Sequence, residues 1–314
     1  MTSPAAPSTE PNPPLPTNWK KWILGARPRT LPTAVAPVIL GTAAAAGVSA
    51  GAFKGVQLWV LFCALGVALF VQIATNYAND YSDGRRGTDD PAARTGPPRL
   101  VGNGLATPSE VKRAMLICFG LTALCGLPLV LFVDWKLIFV GIAAIAAGWF
   151  YTGGNRPYGY AGFGEIFVFV FFGLVATIGS YFVQTQSLSW LSFGSGMAVG
   201  CLATALLVVN NLRDIPGDTI AGKKTLAVRI GERATRILYV ALMVLPILVV
   251  PLLAGLSGRP LGALALLAIV PARQPITQVL SAARGPALIP VLARTSQVQI
   301  VYAVLLSVGL WIGG

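Results

Sequence analysis

Residues 56–78 read VQLWVLFCALGVALFVQIATNYA, and residues 79–83 continue as NDYSD. The first stretch contains no Asp, Glu, Lys or Arg, and a helix of about 20 apolar residues is long enough to cross the hydrocarbon core of a bilayer. Two aspartates follow directly. Carboxylates near a hydrocarbon boundary are costly, so they normally have a partner or a function. The junction therefore predicts a membrane helix with a functional site at its end.

The rest of the chain has the same apolar character. Its 314 residues are 55% hydrophobic and only 11% charged, with a mean hydropathy of +0.71, which is unusual for a soluble domain. The sequence therefore predicts an all-α membrane protein with about nine transmembrane helices. The expected spans are residues 31–50, 56–78, 113–133, 136–152, 164–185, 190–211, 236–256, 261–272 and 297–313. Residues 273–294 are expected to form a surface helix or a partly inserted one.

The first 18 residues differ in composition from everything that follows. They contain six prolines and no Lys or Arg, which predicts a disordered tail over residues 1–18 and a single membrane domain over residues 19–314. A signal peptide is not expected, because these residues lack a charged start followed closely by an apolar run. Lys20 and Lys21 instead precede a full span and are expected to anchor it.

The basic residues are distributed unequally between the two predicted membrane faces. Of the 23 Lys and Arg residues, only Lys54, Lys136 and Arg259 fall on the face opposite the N-terminal side. Because cytoplasmic loops carry an excess of Lys and Arg, the crowded face is expected to be cytoplasmic. Basic loops beside anionic lipid also account for the net charge of +12, so nucleic-acid binding is not expected.

Histidine is absent from the chain, which excludes imidazole ligation of haem or zinc and a histidine general base. Cys63, Cys118, Cys125 and Cys201 all fall in predicted spans without metal-ligand spacing, so they are expected to be small packing residues. Carboxylates, Tyr, Lys and Arg must therefore carry any chemistry.

Seven of the eleven acidic residues form three clusters on the predicted cytoplasmic side. They are Asp80, Asp83, Asp89 and Asp90 after the second span, Asp214 and Asp218 after the sixth, and Glu165 at the start of the fifth. Spacings of three and four residues put Asn76, Asn79 or Asp80, and Asp83 along one helical face. These hard oxygen donors suit Mg2+, which binds a few carboxylates and takes further oxygens from water and substrate phosphates.

The second cluster has a similar pattern. Asn210 and Asn211 come before Asp214 and Asp218, and Lys223 and Lys224 come after them. Two related four-helix units that face each other, with a ninth helix added, would place both clusters across one cavity. Two Mg2+ ions could then neutralise a departing diphosphate. Each lysine could add positive charge or could be only an anchor at the membrane surface.

A plainer interpretation of the first cluster remains open. Arg85 and Arg86 follow it directly, and a polar loop in which they neutralise the aspartates would need no metal. The similar second cluster makes this interpretation less favoured.

These motifs resemble those of the UbiA superfamily of intramembrane prenyltransferases. The family's Asn-Asp-x-x-Asp motif corresponds to Asn79, Asp80 and Asp83, and its second Asp-x-x-x-Asp motif corresponds to Asp214 and Asp218. The resemblance covers nearly the whole chain after residue 20 and implies helices arranged around a central cavity. It is strongest to the MenA branch, the 1,4-dihydroxy-2-naphthoate polyprenyltransferases, in residues 26–32, 76–89, 151–165 and 211–231. A third aspartate common in the superfamily is replaced by Gly87, and Asp89 is expected to substitute for it.

The resemblance implies a reaction that joins a polyprenyl diphosphate from the bilayer to an aromatic acid, with Mg2+ as the cofactor. Departure of diphosphate leaves an allylic cation, which the naphthoate ring attacks at the carbon bearing its carboxylate. Loss of CO2 followed by oxidation then gives demethylmenaquinone. The acceptor of the phenolic proton is left open between an aspartate of the first cluster and the diphosphate itself. A bacterial plasma membrane is the expected location, with the active site toward the cytoplasm.

The resemblance and the residue chemistry together assign further side chains to this site. Asp80, Asp83, Asp214 and Asp218 are expected to be catalytic and, with Asn79 and Asp89, to bind Mg2+. The diphosphate is expected to contact Arg213, Lys223 and Lys224. The aromatic acid or the allylic cation is expected to contact Asn76, Tyr77, Tyr151, Arg156, Tyr158, Glu165 and Arg29. Glu165 could instead pair with Arg156 or complement a helix dipole.

Three other classes stay open at this point. A prenyltransferase acting on 4-hydroxybenzoate, homogentisate, a chlorin or haem would share both aspartate motifs. A secondary transporter would also carry intramembrane carboxylates, but its coupling site should lie near the bilayer midplane. A purely structural membrane protein is the least favoured, because it gives no reason for two paired acidic motifs.

Overall fold

The computed structural model describes residues 19–48, 52–87, 98–281 and 283–314, and in these residues it contains helices and turns but no strand. The helices are α1 (Lys20–Ala26), α2 (Pro32–Ala45), α3 (Leu58–Arg86), α4 (Pro108–Phe132), α5 (Leu137–Phe150), α6 (Gly164–Val168), α7 (Ala176–Thr185), α8 (Trp190–Ile220), α9 (Leu226–Leu256), α10 (Ile269–Leu280) and α11 (Ile289–Gly313). A π-helical turn at Phe169–Val175 joins α6 and α7. Short 3-10 segments occupy Pro28–Thr30, Ala52–Gly55, Pro260–Ala268 and Gly285–Leu288. The predicted disordered tail, residues 1–18, lies outside the described residues.

Nine apolar helical segments account for most of the described chain. Seven are long and apolar enough to cross a membrane, and α2 and α5 are shorter apolar helices. Large apolar side chains such as Phe62, Phe132 and Leu252 are exposed on their outer surfaces, which a soluble protein would bury. The predicted all-α membrane architecture is confirmed.

The two acidic motifs lie inside helices that continue beyond the predicted ends of the membrane spans. Helix α3 continues past the expected end at residue 78 to Arg86, and α8 continues past residue 211 to Ile220. Both extensions are polar, so hydropathy could not find them, but their backbone groups still gain helical hydrogen bonds outside the hydrocarbon. The aspartates are therefore presented on rigid helical turns.

The boundaries of the last three spans also differ from prediction. Helix α9 begins at Leu226, ten residues before the expected start, with a break at Gly231, whose φ of 78° suits glycine. The eighth span, expected at residues 261–272, is longer than expected, because the 3-10 segment Pro260–Ala268 continues into α10 as far as Leu280. Helix α11 begins at Ile289 rather than at residue 297. The segment expected at the membrane surface is therefore mostly part of two spans.

The helices approach one another closely where small residues meet. A Cβ atom on Gly41 of α2 would lie 2.2 Å from the Thr177 carbonyl oxygen in α7. In the same way, a Cβ atom on Gly173 in the π-helical turn would lie 2.4 Å from the Cα of Gly200 in α8. Small residues that allow backbones to touch are typical of membrane helix packing. These contacts hold the span containing α6 and α7 against both α2 and α8.

Two cations cap helix ends at the end of the bundle where α2 stops. The Lys54 ammonium donates to the carbonyl oxygens of Trp311 and Gly314, at 2.6 and 2.7 Å. Arg259 donates to the carbonyl oxygens of Ala46, at 2.7 Å, and of Leu310, at 3.1 Å. Cations at helix C-termini satisfy the last carbonyls and complement the helix dipole. Lys54 and Arg259 therefore stabilise the ends of helices at this end of the described structure.

Candidate active site

The first acidic motif occupies the last turns of α3 and is buried by the segment around α1. The Asn76 amide donates to the Ala26 carbonyl oxygen at 2.9 Å and to the Thr30 hydroxyl at 3.2 Å. The Tyr77 hydroxyl donates to the Trp22 carbonyl oxygen at 2.9 Å. Both side chains, expected to contact substrate, here fasten α1 and the following turn against α3.

The Asp80 carboxylate is almost completely buried, with 1% of the residue exposed, and is held by two arginines. Arg27 and Arg99 donate to its Oδ1 at 2.6 and 2.5 Å, and the Leu100 amide donates to Oδ2 at 3.1 Å. Charge-assisted hydrogen bonds of this kind offset the cost of burying an ionised carboxylate. Asp80 therefore joins three separate segments of the chain.

The backbone at Arg27 has an unusual conformation. Its φ of 53° and ψ of 68° lie in the left-handed region, which a residue with a Cβ atom rarely adopts. The conformation ends α1 and is followed at once by Pro28. Backbone strain of this kind persists where the surrounding contacts fix it, and the ion pair with Asp80 is one such contact.

Asp83 lies one turn beyond Asp80 and links α3 to two later segments. The Tyr160 hydroxyl donates to its Oδ1, while the Lys223 ammonium lies 3.9 Å and the Arg99 guanidinium 3.8 Å from its Oδ2. Lys223 also lies 4.5 Å from the centre of the Tyr160 ring, a cation–π distance. Asp83, Tyr160 and Lys223 thus form one interacting group.

The second acidic motif is paired more locally. Arg213 donates to both oxygens of the adjacent Asp214, at 2.7 and 2.6 Å, and to Asn210 at 3.0 Å. The Asp214 side chain remains 25% exposed. One turn later, the Asp218 carboxylate accepts a single long contact of 3.5 Å within the described structure, from the Thr225 hydroxyl.

The two motifs meet through a shared cation. Asp218 lies within electrostatic range of Lys223, Asp214 and Asp83. The backbone of the same turn reinforces the contact, because the Lys224 amide donates to the Tyr160 carbonyl oxygen at 2.9 Å. The structure therefore brings the ends of α3 and α8 together around Lys223.

The segment after α5 lines this meeting point with phenols. Burial raises the pKa of Tyr151, and the nearby carboxylates of Glu165, Asp83 and Asp218 raise it further. Burial likewise raises the pKa of Tyr158, whose hydroxyl donates to the Ala147 carbonyl oxygen at 2.7 Å. Both phenols therefore stay neutral at physiological pH.

Glu165 is buried at the start of α6, with 5% of the residue exposed. Its Oε1 accepts from the Asn211 amide of α8 at 2.8 Å. Its Oε2 has no hydrogen-bond partner among the described residues. Arg156, suggested as its partner, is exposed and forms no ion pair with it in the described structure.

The remaining predicted residues are placed as follows. Thr152 donates to Asn79 at 2.8 Å, so Asn79 is fixed to the segment after α5. Arg29 and Lys224 are exposed, while Arg27 and Lys223, their near neighbours, make the contacts with the first motif. Asp89 lies outside the described residues.

In the plainer interpretation, Arg85 and Arg86 neutralise the first cluster. The described contacts contradict it for Asp80 and Asp83. Arg86 donates to the carbonyl oxygens of Thr152 and Gly154, and Arg85 donates to the Tyr81 hydroxyl. The neutralising groups come instead from distant parts of the chain.

Sequence reasoning missed Arg27, Arg99 and Tyr160. Arg27 lies beside Arg29 within residues 26–32, and its contact with Asp80 depends on the turn at Pro28–Thr30, which one sequence does not reveal. Arg99 and Tyr160 carried no signal in a single sequence, because their contacts span 19 and 77 residues of the chain.

A model of the UbiA prenyltransferase family matches residues 34–283. The chain belongs to the UbiA prenyltransferase family. This UbiA protein is 46% identical over 286 residues to 1,4-dihydroxy-2-naphthoate octaprenyltransferase of Mycobacterium tuberculosis, covering 91% of this chain and 95% of the relative. It is 42% identical over 228 residues to the protein of the same name in Escherichia coli, covering 71% and 72% of the two chains.

Solved UbiA structures share the fold of this UbiA protein. A homologue from Archaeoglobus fulgidus, solved bound to DMAPP and Mg2+, superposes with a TM-score of 0.57 at 15% identity, over 92% of this chain and 99% of that one. Another structure of a homologue from that organism gives a TM-score of 0.61 at 14% identity, over 93% and 99% of the chains. At this identity the likeness concerns the fold alone.

The donor set of the UbiA site fits Mg2+ when a phosphate ligand is also present. Among the described residues, no three carboxylates, cysteines or histidines gather as a ready-made metal cage. The carboxylates occur instead as one pair on α3 and one on α8. Mg2+ usually takes one or two carboxylates and completes its shell with water and substrate phosphates, which matches two such pairs.

Proposed function

We propose that this chain transfers a polyprenyl group from a polyprenyl diphosphate to 1,4-dihydroxy-2-naphthoate, with release of diphosphate and CO2. The observation that carries the proposal is the 46% identity to the Mycobacterium tuberculosis enzyme of that name over nearly the full length of both chains. The meeting of the two acidic motifs supports it, because a shared cluster of carboxylates and cations suits a diphosphate bound with metal ions.

The charges of the site suit a leaving diphosphate. Asp80, Asp83, Asp214 and Asp218 would hold two Mg2+ ions, which would supply Lewis-acid neutralisation of the leaving group. Lys223 and Arg213 already lie among these carboxylates and would add positive charge to the diphosphate oxygens. Support for Mg2+ also comes from the Archaeoglobus fulgidus homologue solved with DMAPP and Mg2+.

The site would meet both substrates at a membrane surface. Both motifs lie at polar extensions of membrane-spanning helices, where a lipid diphosphate and a water-soluble acid can reach the same residues. The uneven distribution of Lys and Arg supports a cytoplasmic position for this end of the bundle, in the plasma membrane of a bacterial cell.

Product formation by the purified protein in nanodiscs tests the proposal. The substrates are a polyprenyl diphosphate and 1,4-dihydroxy-2-naphthoate, with Mg2+ or with excess chelator, and mass spectrometry detects the products. We expect Mg2+-dependent prenylated naphthalenediol and free diphosphate. The chelator should abolish both.

Assays with a second acceptor test the prenyltransferase activity separately from the identity of the aromatic substrate. Turnover with 4-hydroxybenzoate but not with the naphthoate would keep the prenyltransferase activity and exclude the proposed acceptor. No turnover with any aromatic acceptor, in protein that unfolds cooperatively on heating, would exclude the prenyltransferase activity and favour a secondary transporter.

A further inference from the structure

We infer that Glu165 is the general base for the aromatic acceptor, taking the proton from the hydroxyl group next to the carbon that is prenylated. The inference rests on the proposed function and names the residue that performs its proton transfer. It follows from the burial of Glu165, from the lack of a hydrogen-bond partner for its Oε2 among the described residues, and from its position beside α8.

The first observation is an unsatisfied carboxylate oxygen. Glu165 is 5% exposed, and its Oε2 has no hydrogen-bond partner among the described residues. Nearly all buried polar atoms in folded proteins are hydrogen-bonded, so an exception calls for a specific reason. A bound ligand that donates a hydrogen bond to Oε2 would supply that partner.

The second observation is that no cation pairs with the Glu165 carboxylate among the residues that the structure describes. The side chain known to contact Glu165 is the amide of Asn211, and the Thr204 hydroxyl makes a long 3.5 Å contact with its backbone carbonyl. Asp80, Asp83 and Asp214 differ, since each is paired with Arg or Lys. A carboxylate stabilised by a cation is a weaker base, so Glu165 is better suited than those aspartates to accept a proton.

The third observation is the position of Glu165 relative to the acidic motifs. Asn211, Asp214 and Asp218 follow one face of α8 at spacings of three and four residues. Because Glu165 is bonded to Asn211, it lies about one helical turn, roughly 5 Å, farther into the bundle than Asp214. An aromatic ring stacked against the allylic carbon of a bound diphosphate would occupy that depth.

Tyr151 lies close to Glu165 and to both motifs. The phenol lies within electrostatic range of Glu165, Asp83 and Asp218, and a Cβ atom on Gly164 would lie 3.6 Å from its hydroxyl. Tyr151 is the nearby titratable group from the segment after α5, and α8 contributes only the neutral Asn211 and Thr204. With its raised pKa, Tyr151 stays neutral and does not compete for the proton.

The proposed step balances without any further reactant. The hydroxyl proton passes to Oε2, the O–H electron pair forms the ring carbonyl, and the ring π pair forms the new bond to the prenyl carbon. The carbon–oxygen bond to diphosphate breaks with its electrons on the diphosphate. Loss of CO2 then returns an electron pair to the ring, and Glu165 returns its proton to the oxygen. The base of the first half is the acid of the second.

The test compares Glu165→Gln and Glu165→Asp with the wild type across a pH series. Gln keeps the size and the hydrogen bond from Asn211 but cannot accept the proton. We expect Glu165→Gln to bind the Mg2+ complex of polyprenyl diphosphate as tightly as the wild type and to transfer the prenyl group about 100-fold to 1,000-fold more slowly at neutral pH. Its rate should rise about tenfold per pH unit toward pH 9, as the acceptor hydroxyl ionises without help.

Glu165→Asp keeps the carboxylate, so it should recover part of the rate and retain the pH profile of the wild type. Glu110→Gln is the matched control, because Glu110 is an exposed capping residue of α4 and Gln can replace Glu in a capping box. Its rate should equal that of the wild type.

Three results would overturn the assignment. They are full activity of Glu165→Gln, a loss of activity that does not change with pH, and a loss of diphosphate binding equal to the loss of rate. The last two would make Glu165 structural. Failure of the proposed function is separate, because it would appear as inactivity of the wild-type protein toward the naphthoate.

Discussion

The two acidic motifs have similar sequences but different surroundings. On α3, Asp80 and Asp83 are buried and contacted by residues from the N-terminal segment, the stretch before α4, the segment after α5 and the turn after α8. On α8, Asp214 is paired with the residue beside it and is 25% exposed. The first motif therefore joins several segments at the charged end of the bundle, while Asp214 of the second is paired within its own helix.

The strongest way to separate these roles is to neutralise one aspartate in each motif. Asp80→Asn and Asp214→Asn should each lower prenyl transfer by about 100-fold or more. Each removes a carboxylate that would hold the Mg2+ ions, and these ions would neutralise the departing diphosphate. Asp80→Asn should also cost about 3 kcal/mol of stability, since Arg27 and Arg99 lose a buried partner. Asp214→Asn should cost less than about 1 kcal/mol, because Asn210 and the new amide still accept from Arg213.

Thermal unfolding followed by tryptophan fluorescence measures the stability difference, and the activity assay measures the rate. Equal losses of stability in the two variants would show that the motifs are structurally equivalent. Ser109→Ala, at an exposed position in the first turn of α4, controls for the handling of detergent-solubilised variants.

A smaller effect should distinguish two adjacent lysines. Lys223→Ala removes the cation shared by Asp83, Asp218 and the Tyr160 ring, so it should weaken binding of the Mg2+ complex of polyprenyl diphosphate by about tenfold. Lys224→Ala is the matched control, because Lys224 is exposed and contributes only backbone contacts to this group. Titration with labelled polyprenyl diphosphate measures both affinities. Equal affinities would remove Lys223 from the site.

The smallest effect is expected for the hydroxyl of Tyr160. Tyr160→Phe removes the hydrogen bond to Asp83 but keeps the ring beneath Lys223, so the rate should fall only a few-fold, as for one hydrogen bond. Tyr158→Phe, which loses a bond to the Ala147 carbonyl outside this group, is the comparison variant. A larger loss of rate in Tyr158→Phe would show that the Tyr158 hydroxyl contributes more to the reaction than the hydrogen bond between Tyr160 and Asp83.

The sequence predicted the parts of this molecule that depend on local patterns. Apolar runs located the spans, and the spacing of Asn79, Asp80 and Asp83 located the first motif. Helix ends were less predictable, because α3 and α8 continue with polar residues that hydropathy assigns to loops. The start of α11 was likewise hidden by the Arg and Pro residues between residues 284 and 294.

The partners of the aspartates could not be predicted from one sequence. Arg27 reaches Asp80 across 53 residues, and helices α4 to α8 separate Asp83 from Lys223 in the chain. Such contacts depend on how the helices are arranged, which periodicity does not encode. The contact of Arg27 with Asp80 depends on the left-handed backbone at Arg27, which the sequence does not show, while the role expected of Arg29 stays a prediction.

The ion pairs of the first motif have a consequence for turnover. Arg27, Arg99 and Lys223 already contact the carboxylates, so a diphosphate bound here under the proposed function would have to exchange partners with an occupied set of charges. The affinity for the diphosphate would then reflect the difference between old and new contacts rather than their sum. On release of the diphosphate the arginines and the lysine would regain their carboxylates, and this would lower the barrier to releasing a highly charged product.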